Sequence, residues 1–193
     1  LVYTISHYAR SKHIQCPKIL AVGEVETKYT FKYIIMEEII GESFNTLKDQ
    51  WTVKEKYEIA QNLRKMTDRI NQPVENFPFR QNNDLGNWDM YSNSFKQDRE
   101  NYIAKHSLKE NVYIHGDLNG DNILINHHEI ILIDFADGEV GPIEKEWALI
   151  IIDLFKMDKN FIEGYFHNIS KEEVIDICIN GILRHYFGAS ILH

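Results

Sequence analysis

The chain has 193 residues, with 29 acidic against 21 basic side chains and a formal net charge of −8. Such a length buries a substantial core, and a composition of 44% hydrophobic and 26% charged residues excludes wholesale disorder. The acidic balance lacks the basic face that phosphate contacts need, so nucleic acid is not an expected partner; no apolar run reaches the roughly 18 residues that span a bilayer, so neither is a membrane.

In chain order, Val2, Ile5, Tyr8 and Ala9 have helical spacing, and residues 2–13 read as the end of a helix. Residues 18–25 and 29–36, rich in Ile, Val, Tyr and Phe, read as a β-hairpin around Glu26-Thr27-Lys28, and Gly41 breaks the pattern that follows. Residues 53–70 are a helix: Val53, Tyr57, Ala60, Leu63, Met66 and Ile70 recur every three or four positions, and Thr52 with Glu55 forms a capping box. Residues 71–94 are polar, carry Pro73, Pro78 and Gly86 beside Trp88 and Tyr91, and suggest a loop able to cover a site. A helix over 95–109 follows. Residues 112–114 are short and extended; 122–126 and 129–135 are strands around a His127-His128 turn. Helices are predicted over 144–156, with Trp147, Ile150, Ile151 and Leu154 inward, over 158–167, and last from Lys171, where Ser170 and Glu173 form a second capping box. Asn168-Ile169-Ser170 matches a glycosylation acceptor pattern but reads better as this helix start. Cys16 and Cys178 lie far apart without metal or redox spacing, which suits a reducing cytoplasmic compartment. The first residue is Leu1, and no charged segment with an apolar stretch follows it, so no signal peptide is expected.

The chemistry concentrates in His115-Gly116-Asp117-Leu118-Asn119-Gly120-Asp121-Asn122, followed by Ile133-Asp134-Phe135. A hairpin turning at 127–128 brings Asn122 and Asp134 to one end. The result is two carboxylates and an amide oxygen at a strand end. Mg²⁺ takes a few hard oxygen ligands and keeps water and phosphate for the rest. Asn122 and Asp134 suit that role, which leaves Asp117 to accept or orient a hydroxyl proton. Phosphoryl transfer asks the protein for little beyond positioning and charge neutralisation. The plain alternative is a surface turn that uses Asp and Asn for their turn chemistry.

The spacing His-x-Asp-Leu-x-x-x-Asn with a later Asp-Phe resembles the protein-kinase catalytic loop. In particular, IHGDLNGDNILI and ILIDFADGEVGP resemble the aminoglycoside phosphotransferase family, the choline/aminoglycoside kinase-like group. The run Tyr33–Glu42 is similar to that family's hinge, and residues 141–148 resemble its Gly-Asp-Pro…Asp-Leu-Ala, with Glu146 in place of the usual Asp. The resemblance implies an α+β, protein kinase-like fold: residues 1–38 a remnant of the small-lobe sheet with the hinge, and 39–193 the helical large lobe, with catalytic loop 115–122 and metal-site hairpin 122–135. It implies Asp117 as catalytic base and Asn122 and Asp134 as Mg²⁺ ligands. Met36 would be gatekeeper, with the backbone of Glu37 and Ile39 at the adenine of ATP or GTP. His115 would tie the catalytic loop to the Asp134 strand. Core packing is the plainer reading of Met36, and a buried core position that of His115. Asp137 and Glu139 lie where an amine-bearing acceptor would approach; a solvated loop explains them equally. The acidity around Asp137, Glu139, Glu144, Glu146 and Asp153 favours a small cationic hydroxyl compound.

Three parts of such a kinase have no place in the sequence: the Gly-rich loop, the strand lysine and the helix glutamate paired with it. The first hundred residues hold only Gly23, Gly41 and Gly86, and Lys32 lies on the wrong strand. Residues 2–13 fit the tail of the glutamate-bearing helix, so the front of the small lobe is expected upstream of Leu1. A second reading follows from the same gap: a kinase-like binding or regulatory module that does not transfer phosphate.

Overall fold

A computed structural model describes residues 2–74, 86–106, 111–127 and 129–193, with side chains from Ser6 onward. Helix α1 (Val2–Ser11) leads to an antiparallel hairpin of β1 (Ile19–Glu26) and β2 (Thr30–Met36), with Ile19 opposite Met36 and Glu26 opposite Thr30. Thr27 closes its turn, the N–H and the hydroxyl both donating to the Tyr29 carbonyl. The hairpin leaves Leu20, Val22, Phe31 and Ile35 exposed. Several contacts join this front portion to the rest of the chain, among them a donation from the Arg69 guanidinium to the His13 carbonyl at 3.3 Å. The Tyr8 hydroxyl donates to the Ile70 carbonyl at 3.3 Å, and the Leu132 N–H donates to the Gln15 carbonyl at 2.9 Å.

Strand β3 (Glu42–Ser43) passes into the single turn α2 (Phe44–Leu47), and then comes α3 (Val53–Ile70). Its capping box forms as the sequence predicts. Thr52 Oγ1 accepts the Glu55 N–H at 3.3 Å, and Glu55 Oε2 accepts the Thr52 N–H at 2.8 Å, so each side chain satisfies a backbone donor the helix cannot. Ala60, Leu63, Met66 and Ile70 bury their shared stripe, while Val53, at the start of the pattern, is exposed.

Downstream, α4 (Asn93–Lys105) starts two residues before the predicted position because Ser92 caps it; residues 107–109 of the predicted span lie outside the described residues. Strand β4 (Asn111–Ile114) precedes the hairpin of β5 (Ile123–Asn126) and β6 (Glu129–Leu132), whose other edge is lengthened by β3 to give the order β3-β5-β6. Strand β7 (Glu139–Pro142), which the periodicity does not reveal, pairs antiparallel with β4. Helix α5 (Ile143–Leu149) runs directly into a π-helical turn over Ile150–Leu154, where the Phe155 N–H reaches back five residues to the Ile150 carbonyl. Adjacent Ile150 and Ile151 are both fully buried there. Helices α6 (Lys159–Phe166), α7 (Lys171–Ile182) and the short α8 (Gly188–Leu192) complete the chain; α8 is a helix beyond the last predicted one.

Helix α6 lies along α3, over a core of Phe44, Trp51, Phe155, Phe161 and Tyr165. Phe155 stacks on Phe161 with ring centroids 5.1 Å apart, and Phe44 meets Trp51 edge-on at the same separation. A fully buried side chain of this kind contributes roughly 2–3 kcal/mol. A pair of arginines locks α4 to α7. Arg99 donates from α4 to the Leu183 carbonyl at 2.8 Å. Arg184 donates back to the Ile103 and His106 carbonyls at the end of α4, at 3.1 and 2.7 Å. Each guanidinium thus satisfies carbonyls that a helix end leaves open. No helix among the described residues is long and apolar enough to cross a membrane.

Candidate active site

Strand β4 delivers the chain into the loop 115–122, and β5 carries it away. Gly116 makes the turn at φ +82°, a left-handed conformation that favours glycine; a Cβ there would lie 2.3 Å from the Asp137 carbonyl oxygen. His115, fully buried, spans from this loop to the neighbouring strand end. Its Nε2 lies 2.9 Å from the Ile133 carbonyl, its Nδ1 accepts the Asp117 N–H at 3.4 Å, and its ring packs on Phe135. Burial pushes its pKa down to about 4, against the Ile133 hydrogen bond and the charges of Asp117 and Asp134. The neutral ring, with one donor and one acceptor, fits both contacts.

Glu146 holds the same loop from α5. Its Oε2 accepts the Gly116 N–H and its Oε1 accepts the Asn71 amide, both at 3.1 Å; Asn71 also donates to the Tyr113 carbonyl at 2.8 Å. Burial raises the Glu146 pKa to about 7; the donors on Gly116, Asn71 and His115 oppose the rise, and the Glu139 charge adds to it. Asn45 pins the far side of the loop, giving its amide to Asp121 at 3.0 Å and its backbone N–H to the Gly120 carbonyl at 3.2 Å.

The two oxygens of Asp117 are oriented by side-chain amides: Asn119 donates to Oδ1 at 3.0 Å and Asn122 to Oδ2 at 2.9 Å. The Asn122 nitrogen also reaches the Asp117 carbonyl at 2.9 Å. The loop therefore uses the nitrogen end of this amide. Asn122 faces Ile133 on the hairpin, where the Ile133 N–H donates to the Asn122 carbonyl at 3.0 Å, and Asp134 is the next residue. The expected strand to residue 135 stops at Leu132. Asp134 departs from it at φ +54°, exposed, with its carboxylate accepting the Ala136 N–H at 3.3 Å. Leaving the ladder frees Asp134 to aim away from the sheet.

Beside Asp134 opens a cleft of about 420 Å³ lined by Met36, Glu37, Ile39, Leu124, Ile133 and Phe135 among others. The hinge residues singled out in the sequence therefore share one cavity with Asp134. The Glu37 N–H is committed to the Lys18 carbonyl at 2.8 Å. Lys32 does not line this cavity and pairs in solvent with Glu24 at 3.6 Å.

The acid pair expected at an acceptor surface divides. Asp137 is half-buried, its backbone packed against Gly116. Glu139 is buried on β7 and ion-paired with Lys145, because strand pairing with β4 turns this side chain inward. Trp88 and Tyr91 likewise pack into the fold, Trp88 buried and Tyr91 half-buried. Trp88 is buried and packs on Phe95 and the Arg99 guanidinium, and the Tyr91 hydroxyl donates to the Ala189 carbonyl. Residues 75–85 of that expected covering loop lie outside the described residues. The sequence reading missed Asn71, which, directly after a helix, signals only a C-cap. Near the end of the chain His185 is buried, and its Nδ1 accepts the Phe187 N–H at 3.1 Å.

Comparison with curated proteins gives no match. Solved structures do resemble the chain. Amicoumacin kinase hAmiN, in complex with AMP-PNP, Ca²⁺ and Ami, has a TM-score of 0.69 at 14% identity, over 99% of this chain and 70% of that one. A thermostable mutant of aminoglycoside phosphotransferase APH(4)-Ia has a TM-score of 0.65 at 13% identity, over 99% and 76%. Aminoglycoside-3'-phosphotransferase of type VIII has a TM-score of 0.62 at 16% identity, over 96% and 80%. These likenesses establish the kinase-like α+β fold, and the sequence model that matches residues 3–172 shows that the chain belongs to the phosphotransferase enzyme family.

Proposed function

We propose that this protein transfers the γ-phosphoryl group of ATP or GTP to a hydroxyl of a small cationic molecule such as an aminoglycoside or amino alcohol. One observation carries the reading. Asp117 and Asn122 are joined by hydrogen bonds, and Asp134 follows the residue that pairs with Asn122, at the edge of the cleft that holds Met36, Glu37 and Ile39. The solved relatives support it: one is an amicoumacin kinase with AMP-PNP, and another is APH(2")-IIa with streptomycin and ATP.

In this reading the cleft takes the base of the nucleotide between Leu124 and Ile133 on one side and the 36–39 segment on the other. Glu37 contributes its carbonyl, since its N–H is taken by Lys18. Mg²⁺ fits the donors present. Asn122 offers an amide oxygen and Asp134 a carboxylate, and among the described residues no group of three or more His, Cys, Asp or Glu converges as a full protein cage would. Those two residues would hold the ion, which when bound neutralises phosphate charge. Asp117 then takes the proton of the acceptor hydroxyl as the new O–P bond forms and the bond to the β-phosphate oxygen breaks, the electron pair leaving on the nucleoside diphosphate. Its carboxylate has lone pairs beyond the two amide contacts, so orientation and proton acceptance are compatible. Asp137 is the acid assigned to the acceptor's amine.

A second reading, a nucleotide-binding module without transfer, draws on Lys32, which pairs with Glu24 in solvent rather than serving the cleft. A panel of aminoglycosides, choline and amino sugars, each supplied with radiolabelled ATP and GTP, separates the two. Phosphoryl transfer to at least one acceptor supports the kinase; nucleotide binding with no transfer to any leaves the module.

A further inference from the structure

Asn71, the first residue beyond α3, ties together the two sides of the turn that leads into Asp117. Its Nδ2 donates to the Tyr113 carbonyl on β4 at 2.8 Å and to Glu146 Oε1 at 3.1 Å. Glu146 Oε2 accepts the Gly116 N–H at 3.1 Å, and Asp117 is the next residue. One amide therefore connects the strand that delivers the loop to the acid that holds its turn. The two partners lie 42 and 75 positions from Asn71 in the sequence.

Chemistry fixes the orientation of this amide. A backbone carbonyl and an ionised carboxylate only accept, so the NH₂ end must face both, and each of its two protons has one acceptor. The backbone beneath the side chain is held as well. The Asn71 N–H closes α3 on the Thr67 carbonyl at 2.7 Å, and the neighbouring Gln72 carbonyl accepts the Tyr113 N–H at 3.1 Å. Tyr113 is thus fastened to residues 71–72 through both its N–H and its carbonyl, while the other edge of β4 pairs with β7.

Glu146 is fully buried. The titratable groups that bear on it are Glu139 on β7, ion-paired with Lys145, His115 in the loop, Tyr113 on β4 and Tyr165 on α6, both phenols kept neutral by burial. Helix α7 meets α5 through Gly181, against the Glu144 carbonyl and Ala148. The contacts from Asn71 and Gly116 are charge-assisted while Glu146 is ionised and roughly half as strong once it is protonated.

We propose that Asn71 is a positioning residue for Asp117, acting through Glu146: by holding the Tyr113 carbonyl and Glu146 Oε1 at once, it keeps Oε2 on the Gly116 N–H and the Asp117 carboxylate on its aim. The kinetic part of this claim rests on the phosphotransferase reading; the structural part does not. Misalignment of a catalytic group on the ångström scale costs up to about 100-fold in rate.

Three measurements on the full chain test it. In wild-type spectra, the Asn71 side-chain amide and the Gly116 backbone amide are expected to titrate together with the ionisation of Glu146, and the shared midpoint to be missing from Glu146→Gln. Independent or absent titrations overturn the proposal. In Asn71→Leu, which keeps the volume but has no donor, the Gly116 midpoint is expected to move up, because a donor that favours the charged carboxylate is gone. A folded variant with an unchanged midpoint refutes the role. In phosphoryl-transfer assays, Asn71→Asp is expected to lower kcat about 10- to 100-fold with the nucleotide KM within about threefold. Combining it with Glu146→Gln exchanges donor and acceptor across the contact and is expected to recover most of the loss. Equal losses in the single and double variants, or none, contradict it. If the wild type phosphorylates no acceptor, the phosphotransferase reading fails, while the amide titrations still decide the positioning.

Discussion

Gly116→Ala probes the turn that presents Asp117, and its cost can be worked from the geometry. Two terms add. At φ +82° an L side chain sits in the left-handed region, which costs about 1–2 kcal/mol. The new Cβ would also lie 2.3 Å from the Asp137 carbonyl oxygen and 2.9 Å from its carbon, an overlap with backbone that no side-chain rotation relieves. Moving backbone out of such an overlap costs about 1–3 kcal/mol. The loop cannot drift freely, since Glu146 holds the Gly116 N–H at 3.1 Å. The expected loss is therefore about 2–5 kcal/mol. Gly141→Ala is the internal control. It is also buried, but its nearest contacts are 3.4 Å (Glu139 Oε1) and 3.6 Å (Ile114 Cδ1), ordinary van der Waals distances, so it should fall within about 1 kcal/mol of wild type. Urea unfolding, followed by the fluorescence of Trp51, Trp88 and Trp147, measures both. A Gly116→Ala variant within about 0.5 kcal/mol of wild type, or no worse than Gly141→Ala, refutes the reasoning.

Three further outcomes are expected. Burial pushes both His115 and His185 down to about 4, so the stability they contribute is present above pH 6.5 and is lost as pH falls through 4; at neutral pH each is worth on the order of 3 kcal/mol. Glu146, raised to about 7, acts oppositely: its contribution is full below 4.5 and disappears as pH rises through 7. Between pH 6.5 and 4.5 two imidazoles outweigh one carboxyl, so Tm should decline with acidification, and Glu146→Gln should steepen that decline; a flat profile contradicts the assignment. Glu139→Gln breaks a buried pair and should cost about 3 kcal/mol, whereas replacing both partners (Glu139→Leu with Lys145→Met) should cost less than the single change; chemical denaturation compares them. Arg184→Lys keeps the charge but loses the fork that reaches Ile103, His106 and Asn180, so unfolding should show a loss of about 2–3 kcal/mol and faster amide exchange at the end of α4.

How much of this was legible beforehand depended on whether the signal was local. The α3 helix and its capping box follow from spacing and from the Thr52/Glu55 pair, both written within a few residues. The β1–β2 and β5–β6 hairpins follow from apolar runs flanking short turns. Strand β7 escaped because it is four residues long, contains Gly141 and Pro142, and owes its existence to distant β4. The turn of Asp134 out of β6 escaped because nothing in Ile133-Asp134-Phe135 marks a left-handed residue. In the site, Asp117, Asn122 and Asp134 were readable as a motif. Their supports were not: Glu146 was noticed only as a departure from Asp and as one of several acids, and Asn71 reaches the Tyr113 carbonyl and Glu146 across 42 and 75 positions respectively. Glu139 illustrates the reverse error. Its charge suggests an exposed partner, yet Lys145 meets it inside the protein.

The central claim is that Asn122 and Asp134 serve a magnesium nucleotide while Asp117 serves the acceptor. Calorimetric titration of magnesium–AMP-PNP into wild type, Asp134→Ala and Asp117→Asn tests it most directly. The account predicts binding to wild type, a loss of about tenfold or more in Asp134→Ala, and an affinity within about threefold of wild type in Asp117→Asn. No binding to the wild-type chain, or one affinity shared by all three proteins, would contradict it.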